Sequence, residues 1–123
     1  MVVVVAFDPA HVVGTGGALG ALLRHYVGGL VDVEEYPAGT FTVNVLGSFA
    51  LGLFTFVGVG ETWMLLLGTG MCGSFTTFSS FSFETVRLWE TGERARAVGN
   101  AVGNLAGAGL ALAAAWGLSR LFV

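Results

Sequence analysis

The sequence predicts an all-α integral membrane protein of four transmembrane helices, the third of them broken. Composition is the first reason: of 123 residues 54% are hydrophobic and only 11% charged, which is too apolar for an ordinary soluble domain of this size. Length is the second. A hydrocarbon layer of roughly 30 Å takes about 20 helical residues to cross, so the chain holds four spans and no soluble domain. They fall at about residues 10–31, 39–59, 63–89 and 97–122. The third reason is the stretch from Gly70 to Glu84, where an apolar run is interrupted by glycines, then by a ladder of hydroxyls and phenyl rings, and ends in a carboxylate. Polar groups in hydrocarbon are costly, so helices that carry them turn them toward a partner, a cavity or an ion path.

The first span is rich in small residues, with Gly16 and Gly20 one helical turn apart, a pattern that lets backbones approach closely in lipid. Arg24 lies inside its C-terminal half, where a guanidinium must snorkel, pair or face water. It reads either as an interfacial anchor or as an electropositive vestibule that gathers anions. His25 beside it reads as an interfacial residue. A short polar loop follows, Asp32 to Ala38, with Glu34, Glu35 and Pro37.

In the second span Asn44 is the strongly polar side chain of the apolar part. Its amide either holds two helices together or donates to a passing anion. Trp63 and Trp89 mark the membrane interfaces at the ends of the third span. That span is longer than one crossing needs, which leaves room for an unwound patch near Gly70 to Thr77. Carbonyl oxygens released there are hard ligands suited to an alkali cation. Beyond the break Phe78 and Phe81 share a face, with Ser82 close to Phe78. Phenyl edges carry positive partial charge and serine hydroxyls donate, so such a face either packs or solvates a small anion. The fourth span has Gly99, Gly103 and Gly107 at every fourth position, read as a face for close helix contact, and Asn100 and Asn104 as a polar edge. After Asn104 it has no Ser, Thr or Tyr until Ser119.

Several functions are excluded. Five basic residues and a pI of about 5.1 speak against nucleic acid as a partner. Cys72, alone in the chain, allows no internal disulfide and no thiolate metal cage. Met1 to Ala10 carry Asp8 and no Lys or Arg, the wrong charge for a secretory leader, so a mature N-terminus is expected. No nucleophile or acid–base pair stands out, and Gly14-Thr15-Gly16-Gly17 has neither a preceding strand nor a following Lys, so no enzyme is expected.

On its residues the chain resembles the Fluc/CrcB family of fluoride channels over its whole length. The resemblance lies in Gly17-Ala18-Leu19-Gly20-Ala21-Leu22-Leu23-Arg24, in Gly39-Thr40-x-x-x-Asn44-x-x-Gly47-Ser48-Phe49, and above all in Gly73-x-x-Thr76-Thr77-Phe78-Ser79-Ser80-Phe81-Ser82-x-Glu84. Ser74 and Ser80 stand where many members have Gly and Thr. What the resemblance implies is passive export of cytoplasmic fluoride across the cell membrane, by four-helix protomers paired antiparallel around a structural sodium ion that is not transported. Carried over by position, Gly73 and Thr76 would give backbone carbonyls to sodium. Phe78 and Phe81 would be the pore phenylalanines. Asn44, Thr77, Ser79, Ser82 and Glu84 would match polar residues of the fluoride path, and Arg24 the vestibule arginine. With the first and third connections on one side, Arg24, Arg87, Arg94 and Arg96 lie toward that side against Arg120 on the other, which favours both termini outside, so the partner is either a second copy or an oppositely inserted paralogue. Two other readings compete: a small four-span drug/proton antiporter, which usually places a carboxylate in the first span where this chain has none, and a non-transporting helical subunit.

Overall fold

The computed structural model describes residues 7–31 and 37–123, and every regular element among them is helical. The acidic positions Asp32, Glu34 and Glu35 lie outside the described residues. Helix α1, Pro9–Leu30, starts where Asp8 accepts the Ala10 N–H at 2.8 Å and Pro9 supplies a fixed φ at the first helical position. Helix α2, Ala38–Val57, ends at Gly58, whose φ of 80° is free of Cβ strain and whose N–H closes on the Phe54 carbonyl.

The next passage is built in pieces. One turn, α3 (Glu61–Trp63), runs into a π-helix over Met64–Cys72, and a last α-helical turn, α4, covers Gly73–Phe75. Thr76 and Thr77 are extended, with ψ of 158° and 117°, and α5 then runs over Phe78–Glu90. After a turn at Gly92, α6 covers Arg94–Ser119. By length and composition α2 and α6 are each long and apolar enough to cross a membrane.

The unwinding is thus narrower than the glycines suggest. Gly70 to Phe75 stays helical, and only Thr76 and Thr77 leave the helix. The glycines serve packing instead. A Cβ on Gly16 would fall on the Leu66 carbonyl, one on Gly20 on the Met71 carbonyl and Ser74 Oγ, and one on Gly70 would come within 2.6 Å of the Val13 carbonyl. Two backbones touch here, so only glycine fits. Ser74 adds a stitch, donating to the Gly17 carbonyl at 2.7 Å.

Helix α6 packs along α2, and of the three spaced glycines Gly107 takes part in that contact. A Cβ on Gly107 would press on the Phe41 ring and Val45, whereas Gly99 and Gly103 have nothing within 4 Å. The inward stripe is Ala97, Asn100, Asn104, Ala111, Ala115 and Ser119. Steps of three, four and seven keep these residues on one side of a 3.6-residue helix, and Gly99 and Gly103 fall beside it. The outside carries exposed Leu22, Leu105 and Leu110, an apolar coat that water does not favour. Arg94 lies over the Trp89 ring at 4.8 Å and Arg120 over Trp116 at 5.7 Å, pairing a cation with an exposed indole at each end of α6.

Candidate functional site

The break at Thr76–Thr77 is stabilised by a side chain that stands in for a strand. Asn44 Oδ1 accepts the Thr77 N–H at 2.8 Å, and Asn44 Nδ2 donates to the Thr77 carbonyl at 3.1 Å. Both backbone groups of the extended residue are thereby satisfied away from water, the condition for irregular backbone in an apolar setting. The second N–H of the amide goes to Asn104 Oδ1 at 3.2 Å. Both amide hydrogens of Asn44 are on protein acceptors, and the side chain braces the break.

Downstream, Thr77 caps α5. Its Oγ1 accepts the Ser80 N–H at 3.1 Å and lies 3.3 Å from Ser79 Oγ. In an unbroken helix the Thr77 N–H would close on the Gly73 carbonyl, and the Ser80 N–H on that of Thr76. Here they are diverted to Asn44 and to Thr77 Oγ1, so the Gly73 and Thr76 carbonyls lose those helical donors. Among the described residues no group of three or more His, Cys, Asp or Glu side chains could hold a metal, which makes carbonyl oxygens the donors a cation would find at the break.

The predicted residues separate into two faces of α5. Phe78 and Phe81 have ring centroids 5.8 Å apart at 46°, and Phe78 is 79% exposed. Ser79 is exposed beside them and Ser82 half-buried. The other face lines a cavity of about 370 Å³ bounded by Arg24, His25, Thr40, Thr77, Ser80 and Glu84 among others. Within it Glu84 Oε1 accepts from Thr40 Oγ1 at 2.9 Å, joining α5 to α2. Arg24 therefore opens onto the same space as the break and as the carboxylate of Glu84, 60 positions further along the chain.

Four residues stand in the sequence reading without the site contacts the structure gives them: Thr40, Ser80, Asn100 and Asn104. Thr40 had a signal, because it stands one helical turn before Asn44 on α2. Asn100 is wholly buried and Asn104 nearly so.

A broken helix in an apolar bundle, with freed carbonyls and hydroxyls beside a cavity that holds a guanidinium, defines a membrane protein of the ion-handling class. Residues 11–117 match the family described as CrcB-like protein, Camphor Resistance (CrcB). The chain is 62% identical over 117 residues to a protein of Haloarcula marismortui named Fluoride-specific ion channel FluC 2, covering 95% of this chain and 98% of that one. It is 54% identical to Fluoride-specific ion channel FluC 1 of Halobacterium salinarum, covering 88% and 91%, and 45% identical to Fluoride-specific ion channel FluC of Pyrococcus abyssi, covering 73% and 78%. The chain belongs to the CrcB family, and it is a membrane protein. Relatives named as channels agree with the expectation that it is not an enzyme.

Proposed function

We propose that this chain is one protomer of a fluoride-specific ion channel in the cell membrane, through which cytoplasmic fluoride leaves passively. The observation that carries the reading is the Thr76–Thr77 break clamped by Asn44, set next to a face of phenyl edges and hydroxyls. Relatives of high identity named as fluoride channels support the choice of ion. Fluoride is small and strongly hydrated, so a narrow path must replace its water with several donors at close range. Thr77, Ser79 and Ser82 offer hydroxyls, and Phe78 and Phe81 offer ring edges. Arg24 draws the anion into the vestibule, and Glu84, tethered by Thr40, lines its wall. A negative-inside potential drives the anion out by about 2.3 kcal/mol per charge for 100 mV.

In this reading the four helical passages each cross the bilayer, and the protomer pairs antiparallel with a second copy or with an oppositely inserted paralogue. The exposure of Phe78 at the break supports it, since a phenylalanine of the conducting face needs a second wall. Sodium is the cation we assign to the Gly73 and Thr76 carbonyls; hard oxygens without helical donors fit it. When bound it supplies a fixed positive charge that raises the local potential for an anion.

Purified protein in liposomes tests the proposal with a fluoride-selective electrode. Rapid fluoride release with little chloride release is expected, and slower release when sodium is replaced by a bulky organic cation. No fluoride release, or chloride release at the same rate, would overturn the reading. Sodium independence would remove the metal alone.

A further inference from the structure

We propose that Asn100, Asn104 and Thr85 are positioning residues that hold the break and the first turn of α5 in register. A chain of hydrogen bonds runs from one end of that turn to the other through two neighbouring helices. Thr77 N–H donates to Asn44, Asn44 Nδ2 to Asn104 Oδ1, and Asn104 Nδ2 to the Asn100 carbonyl at 2.8 Å and to Asn100 Oδ1 at 3.1 Å. Asn100 Nδ2 donates to Thr85 Oγ1 at 2.8 Å, and Thr85 Oγ1 to the Phe81 carbonyl at 2.7 Å. The circuit leaves α5 at Thr77 and returns to it at Phe81. Between those residues stand Phe78, Ser79 and Ser80.

Backbone groups fix the direction of every link. The Thr77 N–H can only donate, so Asn44 must turn its oxygen there and its nitrogen toward Asn104. The Asn100 carbonyl can only accept, so Asn104 turns its nitrogen there and its oxygen toward Asn44. Each amide has one workable orientation, and aligned donors polarise one another. Burial makes the circuit consequential: Asn100 is 0% exposed and Asn104 6%, so a lost link strands a polar group away from water. It also gives the hydroxyl-poor fourth helix a part to play, because α6 reaches the break through Asn44.

The functional meaning rests on the fluoride-channel reading, but the positioning itself can be measured without it. Wild type, Asn104→Leu, Thr85→Val and Thr85→Ser are compared by amide hydrogen exchange of the full chain in lipid nanodiscs and by fluoride efflux from liposomes. Exchange over residues 76–82 is expected to quicken by roughly tenfold or more in Asn104→Leu and Thr85→Val, which lose three and two of these hydrogen bonds, with α1 unchanged. Thr85→Ser keeps the oxygen and should match wild type. Efflux should fall in the first two and be kept in the third. A third arm separates positioning from lining: Asn100→Cys should resist a water-soluble maleimide that labels Ser79→Cys. Unchanged exchange over residues 76–82, quickening spread evenly over α1, or ready labelling of Asn100→Cys would each overturn the proposal. Wild type without fluoride flux would sink the channel reading instead, and the exchange arm would still decide on the positioning role.

Discussion

Replacing Asn44 by leucine, which is close to it in shape, tests the central feature of the site. The change deletes three hydrogen bonds: from the Thr77 N–H at 2.8 Å, to the Thr77 carbonyl at 3.1 Å and to Asn104 at 3.2 Å. At about 1 kcal/mol net each, the loss is about 3 kcal/mol, and burying more apolar surface on the half-buried leucine returns about 1 kcal/mol. About 2 kcal/mol remains. Spent on the equilibrium between the clamped and the frayed break, that is roughly thirtyfold in their ratio. Fluoride efflux per protein should therefore fall by more than tenfold, and the melting temperature should drop as well. Thr55→Val is the control, because Thr55 is exposed on the same helix and its hydroxyl bonds to the Leu51 carbonyl one turn back. Asn44→Leu with wild-type efflux and wild-type melting would refute the reasoning, since the extended Thr76–Thr77 segment would then stand without its clamp.

Three further outcomes follow from the same geometry. Gly16→Ala should cost about 1–3 kcal/mol, read as a lower melting temperature in detergent, because its Cβ falls on the Leu66 carbonyl, whereas Gly17→Ala meets nothing and should be neutral. Gly92→Ala, at a φ of 88°, should lose about 1 kcal/mol in the same measurement, from strain in the left-handed region alone. Phe78→Ala should leave the melting of the protomer nearly unchanged, since the ring is 79% exposed, yet abolish most fluoride efflux if the ring edge solvates the ion.

The helical character of the chain and the position of its break were legible for one physical reason. A polar residue in an apolar run is expensive, so Thr76, Thr77 and the serines advertise that something other than lipid faces them. The exact extent of unwinding was not legible. Glycine both permits irregular backbone and permits close approach, and Gly70 turned out to do the second, against α1. The π-helix over Met64–Cys72 left no mark either, because its wider turn is a matter of hydrogen-bond register among residues that are nearly all apolar or glycine.

The asparagines show where sequence reading reaches its limit. A primary amide both donates and accepts, so Asn44 alone is compatible with gripping a neighbour or with solvating an anion. What decides between them is how many of its donors are already taken, and that depends on residues 33 and 60 positions away. On α6 the glycines and the asparagines offer two faces at the same helical spacing, about 100° apart, and small or polar residues suit a membrane interface equally well. The face that the structure turns inward is the one linked to the extended backbone at Thr77. The Thr77 N–H and carbonyl are paired with Asn44, Asn44 is paired with Asn104, and in this register the amides of α6 face inward while Gly99 and Gly103 have no neighbour within 4 Å of an added Cβ. The break that makes the site is thus tied through Asn44 to the packing of α6, a helix that begins 17 residues beyond it.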